Sequence, residues 1–268
     1  MNIYFHELRS YRRNTIIWVA ALCAATLFLF SMYPAFSRNV GDLTKVFSAY
    51  PAAIQDAFNL PLRLVDRISF LLIFYSFILT VIMLCGAVQA MNLGVSIIAK
   101  ETAGKTADFL LTKPVTRGSV VAQKLLAVLT CLAVTSGIYL AVSTAVASAV
   151  TDKAIDYRPF LLISLSFFFV QVIFGTLGLA VAVVFPKIKS MLPVSLSTVF
   201  AFFIIGAAGE ALKQDAIFYL SPFKYFNAIY IMLNSAYQAS YAVTGAAVVV
   251  VAVALGFLVY SKRDIHAV

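Results

Sequence analysis

The chain has 268 residues, 62% of them hydrophobic and only 12% charged, against roughly 25% charged in a soluble domain. That composition excludes an ordinary soluble enzyme fold and predicts an all-α integral membrane protein. The formal charge of +9 lies outside the long apolar runs and is not interleaved with aromatic platforms, which argues against nucleic acid and makes the charge a topology signal.

Residues 1–14, MNIYFHELRSYRRN, carry Tyr4, Leu8 and Tyr11 at spacings of 4 and 3, flanked by Arg9, Arg12 and Arg13. This predicts an amphipathic helix lying in the headgroup layer and turning into a first span over 15–33, with Trp18 near the interface. His6-Glu7 begins like the zinc motif HExxH, but Ser10 stands where the second histidine belongs, so no metal site is read there. The first apolar run is too long for a signal peptide and has no small-residue cleavage site, so none is expected. Residues 34–67 are interrupted by Pro51 and Pro61. Val46, Phe47, Ile54, Phe58 and Leu60 predict short outer helices there, packed on the spans or capping a pathway.

The second span, 68–99, is an uncharged run of 32 residues; as a helix it reaches about 48 Å, well beyond a hydrocarbon core of about 30 Å. The surplus projects on the cytosolic side, and the third span follows at 120–150. Between them lies KETAGKTADFLLTKPVTR, residues 100–117. Ala103, Ala107, Leu110 and Leu111 fall on one helical stripe, while Glu101, Lys105, Asp108 and Thr112 fall on the other. Pro114 cannot continue the ladder. The prediction is a short amphipathic helix, 101–113, at the tip of a cytosolic hairpin: a solvated connector, or an element that docks a soluble protein. Ala103-Gly104-Lys105-Thr106 resembles the end of a phosphate loop, but Ala99 replaces the required first glycine and a span precedes it. The chain is not expected to bind and split ATP by itself.

The fourth span, 159–185, holds Gln171 near mid-depth with Gly175 and Gly178. The amide either hydrogen-bonds a neighbouring helix or lines a substrate path. A fifth span, 190–209, follows a tight turn. The apolar piece 225–233 is then too short to cross, which predicts a re-entrant or interfacial helix within 221–238 on the outer face. Ser221, Pro222, Phe223, Tyr225 and Phe226 are its candidate outer gate. The sixth span, 241–260, ends on Lys262-Arg263. Twelve of the 20 Lys and Arg fall on the side of the N-terminus, which places both termini in the cytosol and lets the inner rim attract anionic lipid. Cys23, Cys85 and Cys131 lie within spans and are read as packing residues. The uncharged runs hold no carboxylate pair, His or Lys, so no catalytic set, no metal set and no ionisable coupling group is read in them.

The order of Glu101, Gly104, Thr106, Leu110-Leu111, Pro114 and Arg117 is similar to E-x-x-x-G-T-x-x-x-L-L-x-x-P-x-x-R. Lys105 stands between the glycine and the threonine, so the spacing departs by one. With the basic N-terminal helix, the six spans, Ser221-Pro222-Phe223 and Arg263-Asp264, the chain resembles the permease subunit of an ABC-2-type ABC transporter over nearly its whole length. The resemblance implies that residues 101–113 are a coupling helix seated in a cleft of an ATP-binding subunit. Glu101, Lys105, Asp108, Phe109, Leu110, Leu111, Pro114 and Arg117 would make or flank that contact. It further implies that 1–14 is a connecting helix, that 221–238 is a re-entrant outer segment, and that two permeases, identical or related, pair with two ATPase subunits. ATP and Mg would be bound by the partner and no cofactor by this chain, a transport subunit rather than an enzyme by itself. Alternating access, export and a prokaryotic plasma membrane complete the expectation. The residues alone leave open an ATPase-independent channel or secondary transporter, or an intramembrane enzyme or scaffold.

Overall fold

A backbone crossing lipid has to satisfy its own N–H and C=O groups, and a helix does so within one segment. The computed structural model describes residues 3–38, 41, 68–103, 116–151, 155–185, 188, 190–212 and 214–262, and among these there are helices and no strand. Helix α1 spans Ile3–Ser31, α2 Tyr33–Arg38, α3 Phe70–Ala103, α4 Arg117–Val150, α5 Tyr157–Val184 and α6 Met191–Leu212. The short α7 (Asp215–Phe218), a 3₁₀ turn (Pro222–Lys224) and α8 (Ala228–Asn234) precede α9 (Ala239–Lys262). Six helices, α1, α3, α4, α5, α6 and α9, are long and apolar enough to cross a membrane. This is a multi-pass membrane protein.

Local chemistry fixes where several helices begin. Thr116 caps α4 by accepting from the Ser119 N–H at 3.3 Å, Asp156 caps α5, and Asn227 caps α8 by accepting from the Tyr230 N–H at 3.0 Å. Pro159 and Pro193 sit in the first turns of α5 and α6, where the missing N–H has no ladder partner to lose. Ser235 ends α8 in the left-handed region, φ 48°, with its N–H on the Ile231 carbonyl at 2.8 Å.

Two boundaries differ from the sequence reading. The N-terminal segment and the first span form one helix, with no break near residue 14; the apolar run and its basic prefix share a single ladder. The short helix expected over 225–233 begins at Ala228, because Pro222 and Asn227 favour a 3₁₀ turn and a capped start in its place.

α3 and α5 form the interior of the bundle. Of their most apolar stretches 72% and 67% are buried, against 17–33% for the other four spans. They cross on glycine. A Cβ added at Gly94 would lie 2.1 Å from the Gly175 carbonyl oxygen, and one at Gly178 would lie 2.5 Å from that of Met91. Backbone meets backbone at this crossing, the geometry small residues allow in membranes. α1 packs on α4, and α9 on α5 and α4.

Candidate functional site

At the end of the bundle that carries the N-terminus, the first turns of α1 present Tyr4, Glu7, Leu8 and Tyr11 inward. Glu7 is 2% exposed. Its Oε1 accepts from the Lys124 ammonium at 2.8 Å, and its Oε2 accepts from Lys100. Lys124 is fully buried and donates also to the Ile97 carbonyl at 2.8 Å, while Lys100 sits 4.7 Å over the Tyr11 ring. Two ammonium groups thus face one carboxylate, which offsets the cost of removing it from water. The Tyr4 N–H donates to Gln123 Oε1 at 3.3 Å, and its hydroxyl pairs with Thr130 Oγ1 at 3.1 Å. Lys100 and Lys124 are two of the twelve Lys and Arg whose distribution orients the chain, and nothing in that distribution reveals this cluster. The available signal was Lys124 itself, in register with Val120, Val121, Ala127 and Val128 on the buried stripe of α4.

The residues expected to couple to a partner divide. Lys105, Asp108, Phe109, Leu110, Leu111 and Pro114 lie outside the described residues, as does the side chain of Glu101, whose backbone is in the last turn of α3. Arg117 opens α4 and donates to the Ser261 carbonyl at 3.4 Å, where a guanidinium complements the C-terminal carbonyls of α9.

At mid-depth, Gln171 is fully buried among α3, α4 and α5. Its Nε2 donates to Gln89 Oε1 at 3.2 Å and to the Gly86 carbonyl at 3.4 Å, and its Oε1 accepts from Ser136 at 2.7 Å. Gln89 passes the network on to Thr135 Oγ1 at 3.0 Å. Of the two roles considered for Gln171, this geometry fits the bond between neighbouring helices. Nearer the opposite end, the Tyr75 hydroxyl lies 2.7 Å from Ser164 Oγ and its ring stacks on Phe160 at 4.4 Å.

The candidate gate residues come together at that opposite end. Ser221 is buried and donates to the Phe202 carbonyl at 2.8 Å, and Pro222 is buried beside it. Phe223 lies 5.1 Å from Phe174, and Phe226 stacks on Phe169 at 5.5 Å. The Tyr225 hydroxyl donates to the Tyr219 carbonyl at 2.6 Å, and Lys224 pairs with Glu210 at 2.8 Å. Tyr237 donates to the Leu162 carbonyl at 2.7 Å, and burial pushes its hydroxyl up to about 12, so it stays protonated and keeps donating. Beneath this cover a cavity of about 40 Å³ is walled by Ser76, Thr80, Ser166, Phe203, Phe223 and Phe226. It has room for water. Among the described residues no three His, Cys, Asp or Glu gather as a metal set.

The family model for ABC-2 family transporter proteins matches residues 1–265. The chain belongs to the ABC-2 family. Membership makes it a membrane component of an ABC transporter, the kind of subunit that moves cargo and usually pairs with an ATP-binding subunit. Among curated proteins none matches the chain. Within an ABC-2 protein the three regions take on distinct interest: a charged cluster where α1, α3 and α4 converge, an amide network at mid-depth, and an aromatic cover at the far end.

Proposed function

We propose that this chain is the permease subunit of an ATP-driven exporter, coupled to a separate ATP-binding subunit and working by alternating access. The observation that carries the reading is the length of α3 and α4, 34 residues each. At 1.5 Å per residue each reaches about 51 Å, about 20 Å more than the hydrocarbon core. In the chain these two helices precede and follow residues 104–115, the segment whose sequence resembles the family's coupling helix, and their surplus length supports the reading that a soluble subunit docks there. The termini lie in the cytosol, as the distribution of Lys and Arg indicates.

The cargo path forms between two permeases. Support for this comes from the apolar faces of α1, α6 and α9, where Ile16, Phe28, Phe200, Ile204, Val250 and Val251 are exposed. Residues 221–238 act as the outer gate over that path, with Phe223 and Phe226 as its closing side chains. The plasma membrane of a prokaryote is the setting.

The test is a tagged pull-down of the chain from its own cell in mild detergent, with ATP hydrolysis measured on the eluate. An ATP-binding subunit should co-purify, and Leu110→Asp or Leu111→Asp should lose it or uncouple its hydrolysis by placing a charge in the docking face. A lone chain that exchanges solute in liposomes without ATP overturns the proposal.

A further inference from the structure

The Glu7 cluster ties together three helix ends by directed contacts. A buried carboxylate and ammonium are often no better for stability than an apolar pair of the same volume, so the cluster calls for a reason besides holding the helices together. Apolar packing leaves neighbouring helices room to slide and rotate. A carboxylate whose two oxygens are claimed by lysines from two different helices does not. Lys100 comes from the last turn of α3 and Lys124 from the second turn of α4; these are the two helices that flank residues 104–115. The Lys124 bond to the Ile97 carbonyl and the Tyr4 contacts to Gln123 and Thr130 fix the rotation of the same three helices.

We infer that Glu7 is a positioning residue for coupling, making the start of α1 move as one body with the facing ends of α3 and α4. A displacement delivered between α3 and α4 then reaches the first span as a rotation and is not absorbed by slippage. This rests on the coupling role proposed above. Lys124 is the fixed half of the clamp, fully buried, and Lys100, whose side chain is 31% exposed, is the half nearer water.

The test uses the whole complex purified from its own cell, with Cys23, Cys85 and Cys131 replaced by alanine. Spin labels are attached at Arg9→Cys, on the exposed face of α1, and at Gly118→Cys, where an added Cβ meets nothing within 4 Å. The distance between them is recorded without nucleotide and with ATP trapped by vanadate. With Glu7 present, one narrow distribution common to both states is expected. With Glu7→Gln it should broaden on trapping, and the permease's effect on ATP hydrolysis should fall about tenfold. Lys124→Gln releases α4 from the carboxylate while keeping the Glu7–Lys100 pair, so it serves where Glu7→Gln does not fold, and it should broaden the same distance to a smaller extent. Distributions as narrow in both variants as with Glu7 present, even alongside a lower melting temperature, overturn the inference. So does a distance that changes with nucleotide while Glu7 is present. An unmutated chain that brings down no ATP-binding subunit overturns the coupling role itself, and the inference with it.

Discussion

Gly94→Ala tests the central crossing most directly. The added methyl would meet the Gly175 carbonyl oxygen at 2.1 Å, its carbon at 3.0 Å and the Leu179 nitrogen at 3.0 Å. All three are backbone atoms, so no side-chain rotation gives relief. To reach 3.4 Å, where ordinary van der Waals contact begins, the two helices must separate locally by about 1.3 Å, and a gap near 1 Å forfeits up to about half of each dispersion well along the interface. Overpacking costs typically about 1–3 kcal/mol; with backbone on both sides the upper figure applies, so a loss of about 3 kcal/mol is expected, roughly 100-fold in the folded-to-unfolded ratio. The assay is unfolding by dodecyl sulfate in mixed micelles, followed by the fluorescence of Trp18, the single tryptophan. Gly137→Ala is the control: it lies exposed on α4, an added Cβ there meets nothing within 4 Å, and it should cost nothing and gain up to about 1 kcal/mol from the better helix former. Equal midpoints for Gly94→Ala and Gly137→Ala would refute the close-approach argument.

The same titration checks three further expectations. Glu7→Leu or Lys124→Met alone should cost about 3 kcal/mol by breaking a buried pair, while the double variant should cost less than either. Gln171→Leu should cost about 1–2 kcal/mol, since it strips Gln89 and Ser136 of a partner, and a cycle with Gln89→Leu should show a coupling of about 0.6 kcal/mol. For Tyr237, the hydroxyl is raised from its ordinary value of 10.0 to about 12. The neutral form is therefore favoured by the fold, and its contribution, full below pH 10, is lost as pH rises through about 12. The stability gap between the unmutated chain and Tyr237→Phe should close over that window; a gap unchanged by alkali would contradict the buried hydroxyl.

Five membrane spans were legible from uncharged run length, and the sixth once Asn227, Asn234, Ser235, Gln238 and Ser240 divide the last such run, because lipid imposes a length and a polarity that hardly depend on tertiary partners. Gly175 and Gly178 were visible as small residues in the fourth span, but Gly94, which α5 meets across the crossing, carried no local sign of that meeting. Glu7 shows the limit more clearly. It sits 93 residues from Lys100 and 117 from Lys124, and its periodicity with Tyr4 and Tyr11 reads equally well as a stripe facing lipid headgroups. Only the packing of α1 against α4 decides which. The short helix was foreseeable in kind, since nine apolar residues cannot cross; its start was decided by Asn227, whose cap displaces the boundary to Ala228. Of the residues read as touching a partner, Arg117 alone has a described side chain, and its bond to the end of α9 links chain positions 144 apart.

The amide network of Gln89 and Gln171 also sets a problem of timing during biosynthesis. The two residues are 82 apart, and a ribosome adding roughly 5–20 residues per second delivers the second about 4–16 s after the first. For that interval α3 is in or near the bilayer with a primary amide whose oxygen still lacks its donor, Gln171 Nε2. Thr135 arrives in between and takes one Nε2 bond of Gln89, so α4 is a provisional host until α5 emerges. The chain therefore matures in the order α3, α4, α5. Pausing translation between residues 135 and 171 would hold Gln89 with its Thr135 partner made and its Gln171 donor still missing.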